Sequence, residues 1–166
     1  MSVYNFGVDS KAAASTLRQQ GLRLPPKPST DIPLLPGDIT EMDDESLMTL
    51  FVELTSWNDY ISTQVAAAQV DERSAQRILD VTEANATSAG WTGGKEDRVA
   101  IAKARISNDP AVVAARSSLD IRYAYRKLVE ALSSNVERDA ALISRELTRR
   151  TSGSAPALRR SNRWST

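Results

Sequence analysis

The chain has 166 residues, equal numbers of basic and acidic side chains, and an aromatic content of only 5%. Its core must therefore be built from Leu, Ile, Val and Ala, which favours packed helices over a β-sandwich. The sequence contains neither Cys nor His, which excludes thiol nucleophiles, disulfides, Cys/His zinc sites and imidazole acid–base chemistry. The first residues lack the apolar core of a signal peptide, and no run approaches about 18 apolar residues, so we expect a soluble intracellular protein without a membrane partner.

Residues 1–40 are predicted to form an extended arm that carries one short helix. Asp9 as N-cap and Gly21 as the residue after the last turn would bound this helix. Five of the seven prolines lie in residues 22–38, which is typical of an extended, polyproline-like segment. The segment is either a linker or an arm that grips a neighbouring subunit through Ile32, Leu34 and Leu35.

The first long helix is predicted to begin at Asp43 and to continue to about residue 86. Asp43 serves as N-cap, Met42 and Leu47 have the spacing of a hydrophobic staple, and the following acidic residues favour the positive end of the helix dipole. An apolar seven-residue repeat follows, and it places Trp57 in the core. The repeat consists of Leu47, Leu50, Phe51, Leu54, Trp57, Ile61, Val65 and Ala68, and it thins near residue 71 before it resumes at Ala75, Ile78 and Leu79.

The second long helix is predicted over residues 109–150, after a glycine-containing tip at 88–97 and a short helix over 95–106. Asp109 is its N-cap, and Pro110 occupies the first helical position, where its missing N–H costs nothing. One apolar stripe is predicted to pack on the first long helix, and it comprises Ile121, Tyr125, Leu128, Leu132, Val136, Ala140, Ile143 and Leu147. We therefore predict an all-α fold in which residues 41–151 form an elongated antiparallel hairpin, completed by self-association and followed by an Arg-rich tail at 152–166.

Charge is distributed unevenly along the sequence. Residues 1–94 carry 6 basic and 13 acidic side chains, whereas residues 95–166 carry 15 basic and 8 acidic ones. This asymmetry indicates either a polyanion partner for the second half or an oligomer in which acidic and basic halves meet.

No catalytic constellation, metal-ligand cluster or cofactor motif is recognisable, and we expect a protein that is not an enzyme and needs no cofactor. The GGK at 93–95 lacks the spacing of a phosphate-binding loop. Basic and aromatic residues alternate near residue 123 and again at the end of the chain, as on surfaces that bind single-stranded nucleic acid. The candidates are Arg122, Tyr123, Arg126, Lys127, Arg145, Arg149 and Arg150. The tail residues Arg159, Arg160, Arg163 and Trp164 could instead contact a neighbouring subunit.

The segments AAAQVDERSAQRILD, ISNDPAVVAARSSLDIRYAYRKLVEAL and ISRELTRR resemble the UvsY-like recombination mediators of bacteriophages. Uncharacterised helical proteins of actinobacteriophages are also similar in the start of the first long helix and in the SRELTRR ending. The mediator resemblance implies a ring-like homo-oligomer that binds single-stranded DNA and helps to load a RecA-type recombinase, in the host cytoplasm during infection. It also adds Arg73 and Arg77 to the DNA-binding candidates, although Asp71 and Glu72 depart from the basic pattern of the family.

Three hypotheses follow for the function. A recombination mediator requires Arg73, Arg77, Arg122, Arg126 and Arg145 to share one exposed face. A structural or assembly protein of a phage particle would use the arm and the tail to hold neighbouring subunits and other phage structural proteins. A small helical regulator of a host protein is the third hypothesis, and no residue selects it.

Overall fold

The computed structural model describes residues 7–89 and 99–153. Over these ranges the chain forms four α-helices and one 3₁₀ turn and contains no strand. The helices are α1 (Val8–Gln19), α2 (Asp44–Ala89), α3 (Val99–Ser107) and α4 (Pro110–Gly153), with the 3₁₀ turn at Ile39–Glu41. Helices α2 and α4 pack against each other, which confirms the predicted all-α helical hairpin. No helix within the described ranges is long and apolar enough to cross a membrane.

Helix α1 begins earlier than predicted, and its N-cap is Gly7 rather than Asp9. Gly7 has no side chain to cap the helix, and the carboxylate of Asp71 in α2 takes that role. It accepts hydrogen bonds from Gly7 N–H at 2.6 Å and from Ser10 Oγ at 3.0 Å. The predicted C-terminal signal is confirmed, since Gly21 has φ +81 and Leu22 N–H donates to the carbonyl of Leu17 at 2.9 Å.

The starts of both long helices are capped as predicted. Asp43 accepts from Ser46 N–H at 2.8 Å and from Ser46 Oγ at 2.7 Å, and these bonds lower the pKa of the Asp43 carboxyl. Asp109 accepts from the N–H groups of Ala111 at 2.8 Å and Val112 at 3.2 Å. Each of these caps satisfies backbone donors that the helix itself cannot pair.

The buried face of α2 keeps a seven-residue repeat from Leu47 to Leu79, and the polar Asp71 occupies it where the apolar pattern was predicted to thin. Its buried members are Leu47, Leu50, Leu54, Trp57, Ile61, Gln64, Ala68, Asp71, Ala75 and Leu79. The core position of Trp57 is thereby confirmed. The assignment of Ile78 to this face is wrong, because its side chain is 59% exposed.

The described residues form two compact units, and α2 and α4 contribute to both. The first unit contains the chain up to Lys27 together with Tyr60–Ser133. The second unit contains Pro28–Asp59 and the chain from Ser134 onward. Each unit therefore contains one part of α2 and one part of α4, and the first unit also contains α1.

The apolar stripe predicted for α4 is only partly correct. In the second unit Val136 and Ile143 are buried as predicted. In the first unit, however, Ile121 is 67% and Leu128 is 72% exposed. Other residues of α4 face α2 there, because they pair with carboxylates of α2.

Candidate interaction surface

Helix α4 presents two faces within the first unit. We call one row of buried and half-buried positions the inner face: Val112, Ala115, Leu119, Arg122, Arg126, Val129 and Ser133. We call the exposed apolar strip on the other side the outer face: Val113, Ala114, Ser117, Ile121, Ala124, Leu128, Ala131 and Leu132. Both sets have the three- and four-residue spacing of a helix face, so sequence periodicity alone cannot choose between them.

Two acidic residues of α2 explain why the inner face is the one that packs. Glu72 accepts a hydrogen bond from Arg126 Nε, and Arg126 Nη1 also donates to Glu130 Oε1 at 2.6 Å. The bonds to Glu72 and then to Glu130 raise the pKa of the Arg126 guanidinium. Arg122 Nη1 lies 3.9 Å from the buried Asp71 carboxylate. These pairings hold both arginines against α2 and turn Ile121 and Leu128 toward solvent.

A cavity of about 370 Å³ lies beside the outer face. Its lining comprises Gly7, Ala68, Asp71, Ser118, Ile121, Arg122 and Tyr125. The start of α1, the middle of α2 and the first half of α4 therefore meet around one space, which is apolar on one side and carries a carboxylate and a guanidinium on the other.

The nucleic-acid candidates of the first unit differ in exposure and in partners. The side chain of Arg126 is only 17% exposed, whereas that of Arg122 is 40% exposed. Arg77 pairs with Asp9 at 3.2 Å. Arg73 is exposed and makes no ion pair within the described part of the chain.

Tyr123 is exposed, as its predicted role requires. The residue is 49% exposed, and two cationic groups lie near its ring. The guanidinium carbon of Arg126 is 5.3 Å and Lys127 Nζ is 5.9 Å from the ring centroid. Lys127 also lies 3.4 Å from Glu130, so neither cation is without a carboxylate neighbour.

In the second unit, Glu146 organises the end of α4. Its carboxylate is buried and accepts from Arg149 Nε and from Arg150 Nε, each at 2.7 Å. The bonds from Arg149 and then Arg150 lower the pKa of Glu146 to about 2. Arg150 in turn donates to Asp44 and to the carbonyl of Met42, both at 2.7 Å. Arg150 thus ties α4 to the start of α2, whereas Arg145 is exposed and makes no ion pair among the described residues.

The residues predicted to contact a neighbouring subunit have different surroundings. Ile32 and Leu35 are half-buried, whereas Leu34 is 89% exposed. Leu34 lines a cavity of about 430 Å³ with Met42 and Leu50 among its other walls. The tail residues Arg159, Arg160, Arg163 and Trp164 lie outside the described residues. Their contact with a partner stays a prediction.

The role of Asp71 and the exposure of the outer face were not predicted from the sequence. The sequence does hold a signal for the role of Asp71. Asp71 and Glu72 interrupt the apolar repeat of α2, and Arg122 and Arg126 interrupt the apolar inner face of α4. In an antiparallel hairpin such interruptions can face each other and pair.

A scan against protein-family models, a search of curated proteins and a search of solved structures each found no match to this chain. A function is therefore inferred from the residues and from the geometry of the two faces of α4.

Proposed function

We propose that this chain is a non-enzymatic helical assembly protein that self-associates through the outer face of α4. The observation that carries the proposal is the exposure of Ile121 and Leu128, 67% and 72%, on one strip of a long helix. Exposed apolar patches of this kind mark interaction surfaces in soluble proteins. Together with the resemblance to helical phage proteins, this supports a structural or assembly role in a phage particle.

The shape and chemistry of the outer face suit another helix. From Val113 to Leu132 the face spans about 30 Å along α4. Ala114, Ala124 and Ala131 alternate with larger aliphatic side chains, an arrangement that lets two helices approach closely and interdigitate. No charged side chain lies within the face, which favours an apolar partner over a nucleic acid. A second copy of the same chain offers the same face, and symmetric pairing of identical patches is the commonest form of oligomer.

Single-stranded DNA binding, with recombinase loading as the resemblance implies, is the second candidate. The observation that favours it is the exposed Tyr123 ring beside Arg126 and Lys127, because stacking on a base and contact with a phosphate could occur together there. The ion pairs of Arg126, Arg149 and Arg150 weigh against it, because these cations already have carboxylate partners.

The proposal is tested by measuring the mass of the full chain in solution by multi-angle light scattering. We expect an oligomer for the natural sequence and a shift toward monomer for Leu128→Asp, because a carboxylate in a helix–helix interface loses its water without gaining a partner. Ser62→Asp is the matched control, because it adds the same charge at an exposed position of α2 outside the outer face. A monomer at all concentrations, or equal masses for both variants, would contradict the proposal.

A further inference from the structure

Charged residues border the outer face of α4 on one side only. At seven-residue intervals, one border consists of Val113, Asp120, Lys127 and Ser134, and the other of Ser118, Tyr125 and Leu132. Asp120 is exposed, and none of the described cations pairs with it. The side chain of Lys127 is 53% exposed and contacts Glu130 at 3.4 Å. One border therefore carries an anion and a cation about 10 Å apart along the helix, and the other carries no charge.

The sizes of the side chains within the outer face indicate the direction in which two copies would pair. The large residues Ile121 and Leu128 lie in one row, and the small residues Ser117, Ala124 and Ala131 lie in a second row. In a parallel pair of helices each row faces itself, so layers of large side chains alternate with layers of small ones that leave voids. In an antiparallel pair each row faces the other, and every large side chain meets a small one. The outer face therefore suits an antiparallel partner.

The two border charges select one register for an antiparallel pair. Equivalent borders of the two helices lie together in this arrangement. When the two-fold axis lies at the level of Tyr123, Asp120 of each copy is opposite Lys127 of the other, and two ion pairs form. A register shifted by seven residues sets two aspartates or two lysines opposite each other. In a parallel pair the charged border faces the uncharged one, and neither ion pair forms.

We propose that two copies of this chain pair their outer faces antiparallel, with the two-fold axis at the level of Tyr123 and an Asp120–Lys127 ion pair on either side of it. This pairing rests on the self-association proposed above and specifies its partner, which is the segment 114–131 of a second copy. The apolar layers supply most of the free energy of association, because exposed ion pairs contribute little to it. The ion pairs determine the direction and the register.

Reversal of the border charges tests this pairing. Asp120→Lys and Lys127→Asp each set like charges opposite each other, so we expect either variant alone to self-associate about tenfold more weakly than the natural chain. An equimolar mixture of the two variants restores opposite charges at both sites, and its dissociation constant should return to that of the natural chain. The constants are obtained by light scattering over a dilution series at low salt, and far-UV circular dichroism shows whether the helices are retained. Glu137→Lys, which reverses an exposed charge of α4 away from the outer face, is the matched control and should associate as the natural chain does.

A distance between the two copies provides a second measurement. Because the chain lacks cysteine, Ala111→Cys can carry a single spin label at an exposed position of α4. In the proposed register the two labels lie about 35 Å apart along the helices, whereas a parallel pair in register would hold them near the separation of packed helices, about 10 Å. A natural chain that is monomeric would contradict self-association as well as this pairing. An oligomer whose variants associate no better when mixed, or whose labels lie near 10 Å, would overturn only the antiparallel pairing.

Discussion

At the scale of single residues, Glu146 shows how a buried charge can be held in a small helical protein. Its carboxylate is buried and binds two arginines, one exposed and one that reaches Asp44 in α2. A buried charge is tolerated only where its hydrogen-bonding capacity is used, and both oxygens of Glu146 are occupied. The side chain therefore contributes to stability in its ionised form.

The pKa of Glu146 predicts how stability depends on pH. The pKa is lowered in the folded state to about 2 from an ordinary value of 4.5. The stabilising contribution is therefore fully present above about pH 4.5 and is lost as the pH falls toward 2. We expect Glu146→Gln to lower the midpoint of thermal unfolding at neutral pH and to flatten its decline between those two values.

The control for this prediction is Glu137→Gln, which neutralises an exposed carboxylate of the same helix. The unfolding midpoint of this variant should depend on pH as that of the natural chain does. Thermal unfolding followed by circular dichroism across the acidic range provides both measurements. If Glu146→Gln kept the full acid-induced decline, the paired carboxylate would not be its source.

At the scale of elements, α1 depends on a contact that its own sequence does not contain. A helix of 12 residues is marginal alone in water. Three features hold it to the unit: the Asp71 cap, the packing of Ala14 on Ala67 and the ion pair between Asp9 and Arg77. Loss of the cap should therefore release α1 while the long helices persist.

Gly7→Ala tests this dependence directly. A Cβ added at Gly7 would lie 2.5 Å from Asp71 Oδ1, too close for the two groups to coexist without movement. We expect α1 to lose about 1–3 kcal/mol of docking free energy, the usual effect of forcing extra volume into a packed site. Hydrogen exchange of Val8–Gln19 should accelerate while that of α4 stays slow. Gly37→Ala is the control, since nothing lies within 4 Å of its added Cβ, and equal exchange in both variants would contradict the role of the Asp71 cap.

The elements also show which features could be predicted from sequence. The caps at Asp43 and Asp109 and the turn at Gly21 are local, since each depends on a few neighbouring residues, and all three are confirmed. Which face of α4 packs on α2 does not depend on neighbouring residues alone. Ile121 and Leu128 have as regular a spacing as the inner face, and the choice between them is made by carboxylates that lie far away in sequence.

At the scale of the whole molecule, acidic residues of the first half of the sequence form ion pairs with basic residues of the second half. The acidic first half supplies Glu72, Glu83 and Asp44, and the basic second half supplies Arg126, Arg116 and Arg150 as their partners. Pairs of this kind hold α4 to α2 and leave fewer cations for a polyanion. The sequence pattern that indicated a nucleic-acid partner thus has a second explanation in the packing of the hairpin.

This use of charge predicts how the protein responds to salt and to DNA. Phosphate binding releases counterions and weakens steeply as salt rises, whereas apolar contact between outer faces does not. We expect the mass measured by light scattering to be the same at low and high salt, and a fluorescently labelled dT oligonucleotide to keep the anisotropy of the free strand. The double variant Arg73→Glu and Arg145→Glu, which reverses two exposed cations without described partners, should behave as the natural chain does. Tight binding of the oligonucleotide that is lost at high salt and in this variant would instead support the mediator hypothesis, since the remaining exposed cations would then be enough to hold a strand.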